Sequence, residues 1–119
     1  MTTAGAGRHD ILIEQGSTFS FVATWSDPEG NPIDVTGCTA RMQVRPWQES
    51  DTVLLSLTTE NGGITLGGPD GTVTLLASDE VTTNLPAGYA IYDIEIETAA
   101  GDVTRLLQGA VDISAEVTR

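Results

Sequence analysis

Apolar and polar residues alternate with a period of two along most of this chain, the spacing that sets one face of a β-strand on a core and the other in water. Between Thr18 and Ser26, Phe19, Phe21, Ala23 and Trp25 fall on one face, with Thr18, Ser20, Val22 and Thr24 on the other. Cys38, Ala40, Met42 and Val44 alternate in the same way with Thr39, Arg41, Gln43 and Arg45. Further strands are predicted over Thr52–Thr58, Ile64–Leu66 and Thr72–Leu76. The short apolar run Asp10–Glu14 predicts a first strand at a sheet edge.

The best-specified element is C-terminal. Ala87–Ser114 reads as two strands folded at Gly101-Asp102, where Gly in the first central position suits a type II′ turn. Folding there sets Ile96 opposite Leu107, Ile94 opposite Gly109, Tyr92 opposite Val111 and Ala90 opposite Ile113. The other face then carries Glu97 with Leu106, Glu95 with Gln108 and Asp93 with Ala110. A slip of one residue would drive Glu95 and Glu97 into the core, so the pattern resists it.

Between these strands the chain is punctuated by Gly, Pro and Asn. Gln15-Gly-Ser17, Asp27-Pro-Glu-Gly-Asn-Pro32, Asn61-Gly-Gly63 and Gly67-Gly-Pro-Asp-Gly71 are all turn formers, the last two read as hairpin turns. Neither glycine-rich loop carries the Lys-Ser/Thr of a phosphate-binding loop. Ser78-Asp-Glu-Val-Thr-Thr-Asn-Leu85 is the one helical candidate: Ser78 can cap, Asp79 and Glu80 suit the first turn, and Pro86 and Gly88 stop it. Seven or eight short strands with one helical crossover predict an all-β fold, an antiparallel β-sandwich of immunoglobulin-like type, with a small closed barrel as the alternative.

Composition narrows the function more than the fold. At 119 residues the chain is one domain, read as a flexible arm over residues 1–8 and a sandwich over residues 9–119. Its net charge of −12, from 17 acidic and 5 basic residues, argues against nucleic acid as a partner, since phosphate binding needs clustered Lys and Arg. No apolar run approaches the ~20 residues of a membrane span, and the N-terminus shows no leader pattern. A lone cysteine, Cys38, reads as an apolar strand residue. With His9 as the one histidine, in the expected arm, neither a metal site nor a Ser-His-Asp arrangement is indicated. Asp93, Glu95 and Glu97 line one strand face, which reads as solvated surface and not as an acid/base pair. The expectation is a non-enzymatic protein without cofactor.

The candidate contact residues are therefore surface ones. Arg41 and Arg45 share a strand face, and Trp47 sits in the polar loop Pro46–Asp51, placed either to contact a partner or to close one end of the core. Tyr89 is the other aromatic left outside the core assignment, and Arg8 ends the arm.

Several stretches together resemble a known group: Gly16-Ser-Thr-Phe-Ser-Phe21, Trp25–Arg45 with its Asp-Pro-Glu-Gly-Asn-Pro-Ile-Asp-Val-Thr-Gly core, Leu57–Ile64, Gly88–Ile96, and the ending from Arg105 to Arg119. They resemble small virion-associated proteins of tailed bacteriophages and, more distantly, the immunoglobulin-like N-terminal domain of phage baseplate upper proteins. Val35 stands where Leu is usual in that plan. The resemblance implies a structural component of the particle, such as a head decoration, a neck or collar protein, or a tail or baseplate module. Its partners would be other phage structural proteins and copies of itself as a homo-oligomer, by edge-strand pairing and anchoring of the Met1–Arg8 arm. It implies synthesis in the bacterial cytoplasm and location in the virion. A carbohydrate- or receptor-binding module of the tail is the second reading.

Overall fold

The computed structural model describes residues 6–119, which form two packed sheets. The larger holds β1 (Gly7–Arg8), β2 (Ile11–Glu14), β4 (Thr39–Arg45), β5 (Leu55–Thr58), β8 (Gly88–Glu97) and β9 (Val103–Ser114). Its order is β1-β9-β8-β4-β5, with β2 also paired to β9. The smaller holds β3 (Phe19–Thr24), β7 (Thr72–Ala77) and β6 (Ile64–Leu66) in the order β3-β7-β6. The predicted alternation is what joins them. Ala40, Met42, Val44, Ile94, Ile96, Val111 and Ile113 from the larger sheet meet Phe19, Val73, Leu75 and Ile64 from the smaller in one buried cluster.

Among the described residues the one α-helix, α1 (Asp79–Thr83), carries the chain from β7 back to β8. Ser78 caps it by accepting the Val81 N–H, as its sequence predicts. Thr82, fully buried on its inner side, donates its hydroxyl to the Ser17 carbonyl at 2.8 Å, and Leu85 tucks under the sheets.

Three expectations change. The C-terminal hairpin closes through Ala99, Ala100 and Gly101, not through a two-residue turn at Gly101-Asp102. Thr98 and Asp102 bracket the loop, with Thr98 N–H to Asp102 O at 2.9 Å and Gly101 N–H to Thr98 O at 2.9 Å. Gly101, at φ +94°, supplies the left-handed residue that ends such a three-residue loop. The pairing accordingly runs Ala90 with Val111, Tyr92 with Gly109 and Ile94 with Leu107, two residues from the expected register, so the side chains of these pairs keep their expected faces. Beyond Ile94 the register shifts once more: Glu95 pairs with Arg105, leaving Leu106 as the extra residue of a β-bulge.

The second change is at the N-terminus. Arg8 does not end a free arm: Gly7 and Arg8 pair in parallel with Leu107 and Gln108, and β2 continues in parallel along β9 from Val111 to Ser114. Met1–Gly5 of the expected arm lie outside the described residues. At the kink between β1 and β2 the Asp10 carboxylate accepts the Ala110 N–H at 2.9 Å, replacing a ladder bond. His9 is ordered as well, its ring stacked 4.9 Å from that of Phe21 on the smaller sheet. The third change concerns Asn61-Gly-Gly63, which crosses from β5 in one sheet to β6 in the other and so is not a hairpin turn. The Asn61 side chain organises it, accepting the N–H groups of Thr58 and Gly63, each at 2.9 Å.

Candidate docking surface

All five basic residues of this acidic chain are arginines, and four of them (Arg8, Arg41, Arg45 and Arg105) line one open groove of about 510 Å³ on the outer face of the larger sheet. Strand register places them. Outward residues of β4, β8 and β9 form rungs: Arg41, Glu95 and Arg105 in one, Gln43, Asp93 and Gln108 in the next, then Arg45, Ile91 and Ala110. Arg8 joins the Gln108 rung through β1. Neighbouring rungs on one face are about 7 Å apart and neighbouring strands about 4.8 Å, so long guanidinium side chains on adjacent strands meet over the sheet.

Arg105 owes its place to the bulge. Had the Ala90–Val111 register continued unbroken, Leu106 would oppose Glu95 on the outer face and Arg105 would turn inward with Ile96. Inserting one residue turns Leu106 to pack against the core and puts Arg105 beside the carboxylates. The adjacent pair Leu106-Leu107, which breaks the period-two pattern, is the sequence signal for it.

The charges are not all matched alike. Arg41 reaches Glu95 at 2.9 Å and Glu97 at 3.1 Å, and the two carboxylates hold its guanidinium above its ordinary pKa. Arg105 lies 3.5 Å from Asp93 and donates to Gln108 at 3.3 Å, while Arg8 lies 3.3 Å from Asp10. Arg45 differs. It donates to the Ser50 carbonyl and, at 2.8 Å, to the Gln43 side-chain oxygen, both neutral acceptors. Among the described residues no carboxylate comes within ion-pair distance of it. Asp93, at the centre, has its carboxyl pushed above the usual range by partial burial and by Glu95, against the opposing pull of Arg105 and Arg45.

Beneath the groove, Tyr92 fixes the added N-terminal strand by donating its hydroxyl to the His9 carbonyl. Burial, with Asp10 adding to it, pushes that phenol up to about 12. Gly109, opposite Tyr92, is required by the same seam, because a Cβ there would collide with the His9 carbonyl.

The five predicted contact residues thus fall on or beside one face. Arg8, Arg41 and Arg45 line the groove. Tyr89, 82% exposed, is two residues before Ile91 on the same face of β8, and Trp47, 61% exposed, lies in the loop after Arg45 next to the groove-lining Gln48. Trp47 is therefore outside the core and not a lid over it. Sequence reasoning missed Arg105, Gln43, Gln48 and Gln108. Among the described residues no group of His, Cys, Asp or Glu is arranged to hold a metal ion, and no helix is long and apolar enough to cross a membrane.

No family model matches the chain, and no curated protein matches it. Solved structures do. The GspB Siglec domain superposes with a TM-score of 0.51 at 18% identity, over 90% of this chain and 54% of that one, so this chain spans about half of its length. A chain from a study of multimeric cell-adhesive interactions of VGSC beta subunits gives a TM-score of 0.46 at 13% identity over 98% of both. At 18% identity the likeness to the Siglec domain is one of fold, and with its two packed sheets the protein is an immunoglobulin-like β-sandwich.

Proposed function

We propose that this chain is a non-enzymatic structural component of a tailed-bacteriophage particle that docks on neighbouring structural proteins through the outer face of its larger sheet. The observation that carries the docking reading is the gathering of four arginines, Trp47 and Tyr89 on and beside one face of a chain that is otherwise strongly acidic. Arg, Trp and Tyr are the residue types that dominate binding energy in protein interfaces. The phage setting rests on the sequence resemblance, and within it the chain acts as a head decoration, a neck or collar protein, or a tail or baseplate module.

Quantifying the chain by mass spectrometry in purified particles tests this. A ratio to the major capsid protein near one assigns a head decoration, and a ratio matching a portal or tail ring assigns the neck or tail. Absence from the particle overturns the reading. The exposed rings of Trp47 and Tyr89 keep one rival open, a carbohydrate- or receptor-binding module, because sugars stack on such rings. A glycan array distinguishes it: binding lost in Trp47→Ala and Tyr89→Ala favours the rival, and silence removes it.

A further inference from the structure

The smaller sheet leaves one edge open, on the other sheet from the docking face just proposed. Strand phase shows which backbone groups it presents. Trp25 N–H donates to Gly71 O at 2.8 Å, so Trp25 bonds toward β7, and by period two so do Ala23, Phe21 and Phe19. The N–H and C=O groups of Ser20, Val22 and Thr24 therefore point out of the sheet, where no described strand pairs with them. The other edges are guarded. On β5 the Asn61 side chain accepts the Thr58 N–H at 2.9 Å and donates to the Ser56 carbonyl at 3.0 Å, which occupies the outward groups of that strand. β6 has only 3 residues, and β1 and β2 are broken at the Asp10 kink. β3 has 6 residues with no charge, proline or bulge among them.

We propose that β3 is a self-association edge, pairing antiparallel with β3 of a second copy about a two-fold axis at Val22. Ser20 then pairs with the second copy's Thr24, Val22 with its Val22, and Thr24 with its Ser20. Each pair exchanges both N–H···O bonds, and the smaller sheets of the two copies become one continuous sheet. The residues on the page choose a second copy over an unrelated strand. The outward positions read hydroxyl, apolar, hydroxyl, so β3 is complementary to itself when reversed. Val22 and Leu76, both exposed, lie diagonally across β3 and β7, and the two-fold extends them into an apolar row of Leu76, Val22, Val22 and Leu76. Charge points the same way. Copies of net charge −12 repel wherever acidic surfaces meet, whereas β3 and the outer face beside it carry no charged side chain. Asp10 and Glu14 line the cleft between β2 and β3, and Asp10 is already paired with Arg8.

The test is light scattering of the full chain over a concentration series at low and high salt, with amide hydrogen exchange read residue by residue. The expected result is a monomer–dimer equilibrium that strengthens as salt is raised, because screening weakens the repulsion between copies. The Ser20, Val22 and Thr24 amides slow as the dimer forms, whereas Phe21 and Ala23, bonded to β7 in both states, change little. Val22→Pro removes one bond from each copy and none to β7, and weakens the dimer about tenfold. Val22→Lys keeps every bond to β7 and sets two ammonium groups opposite each other, so it weakens the dimer even if proline disturbs the strand. A chain that stays monomeric up to about 1 mM overturns the proposal, as does a dimer that both variants leave intact. Slow exchange at Ser20, Val22 and Thr24 at every concentration overturns it in favour of a segment of the same chain. A dimer weakened by salt and by Arg45→Gln overturns it in favour of the arginine groove. Incorporation into particles, measured separately, tests the docking reading, which does not depend on this edge.

Discussion

The two outward faces of this sandwich are built from the same alternation and have opposite chemistry. Outside the larger sheet the rungs carry Arg41, Glu95 and Arg105, then Gln43, Asp93 and Gln108. Outside the smaller one they carry Ser20 with Leu76, Val22 with Thr74 and Thr65, and Thr24 with Thr72, with no charged side chain among them. Both are exposed, so solvation alone does not separate them. The difference is that charges of both signs interlock on the first face, a pattern of the kind that discriminates between partners, whereas a face of threonines with exposed Val22 and Leu76 is tolerant. Charge patterning, more than exposed apolar area, distinguishes the face proposed for docking.

The comparison can be broken most severely at the seam that brings β1 and Arg8 to the charged face. Gly109→Val would push the His9 carbonyl away and unseat the strand that buries Ile11 and Ile13, costing about 3 kcal/mol by urea denaturation. Tyr92→Phe leaves the same carbonyl without its donor and costs about 1–2 kcal/mol. It also removes a pH dependence. With the phenol at about 12 in the fold against 10.0 when free, the unfolded chain loses this proton first, so wild-type stability falls as pH rises from 10 to 12. In Tyr92→Phe that part of the slope is absent.

Smaller effects sharpen the contrast. Asp93 keeps its proton to a higher pH in the fold than in the unfolded chain, so its contribution to stability is present in acid and is lost as pH rises past the ordinary aspartate range. Asp93→Asn is therefore expected to be more stable than wild type at neutral pH, with the gap closing on acidification. Arg41→Gln should lower stability slightly at low salt and not at all at high salt, because its pairs with Glu95 and Glu97 are exposed and screened. On the neutral face, Thr74→Arg should shift stability by less than ~0.5 kcal/mol and leave incorporation unchanged.

Much of this was legible in the chain. Inward and outward positions of the long strands, the bulged start of β9 excepted, follow from period two, since each face must satisfy either a core or water, and Ser78 and Asp79 announce the helix start. The candidate surface was half legible. Arg41 and Arg45 share a strand face by spacing alone, and Trp47 and Tyr89 were left over once the core was filled. Arg105 was not, because its place depends on the hairpin's exact closure: Gly101 ends a three-residue loop instead of opening a two-residue turn, and Leu106-Leu107 forms a bulge instead of continuing the ladder.

Local pattern, then, determined which side chains face out and which elements exist, because those choices depend on neighbours two to four residues away. The tertiary structure decided which outward residues meet. Arg8 reaches Gln108 only because β1 adds in parallel beside β9. Arg105 reaches Asp93 only because one extra residue re-phases that strand. Pairing between strands distant in sequence is set by the sum of core packing, bulge and turn geometry, and no single stretch of the chain encodes that sum.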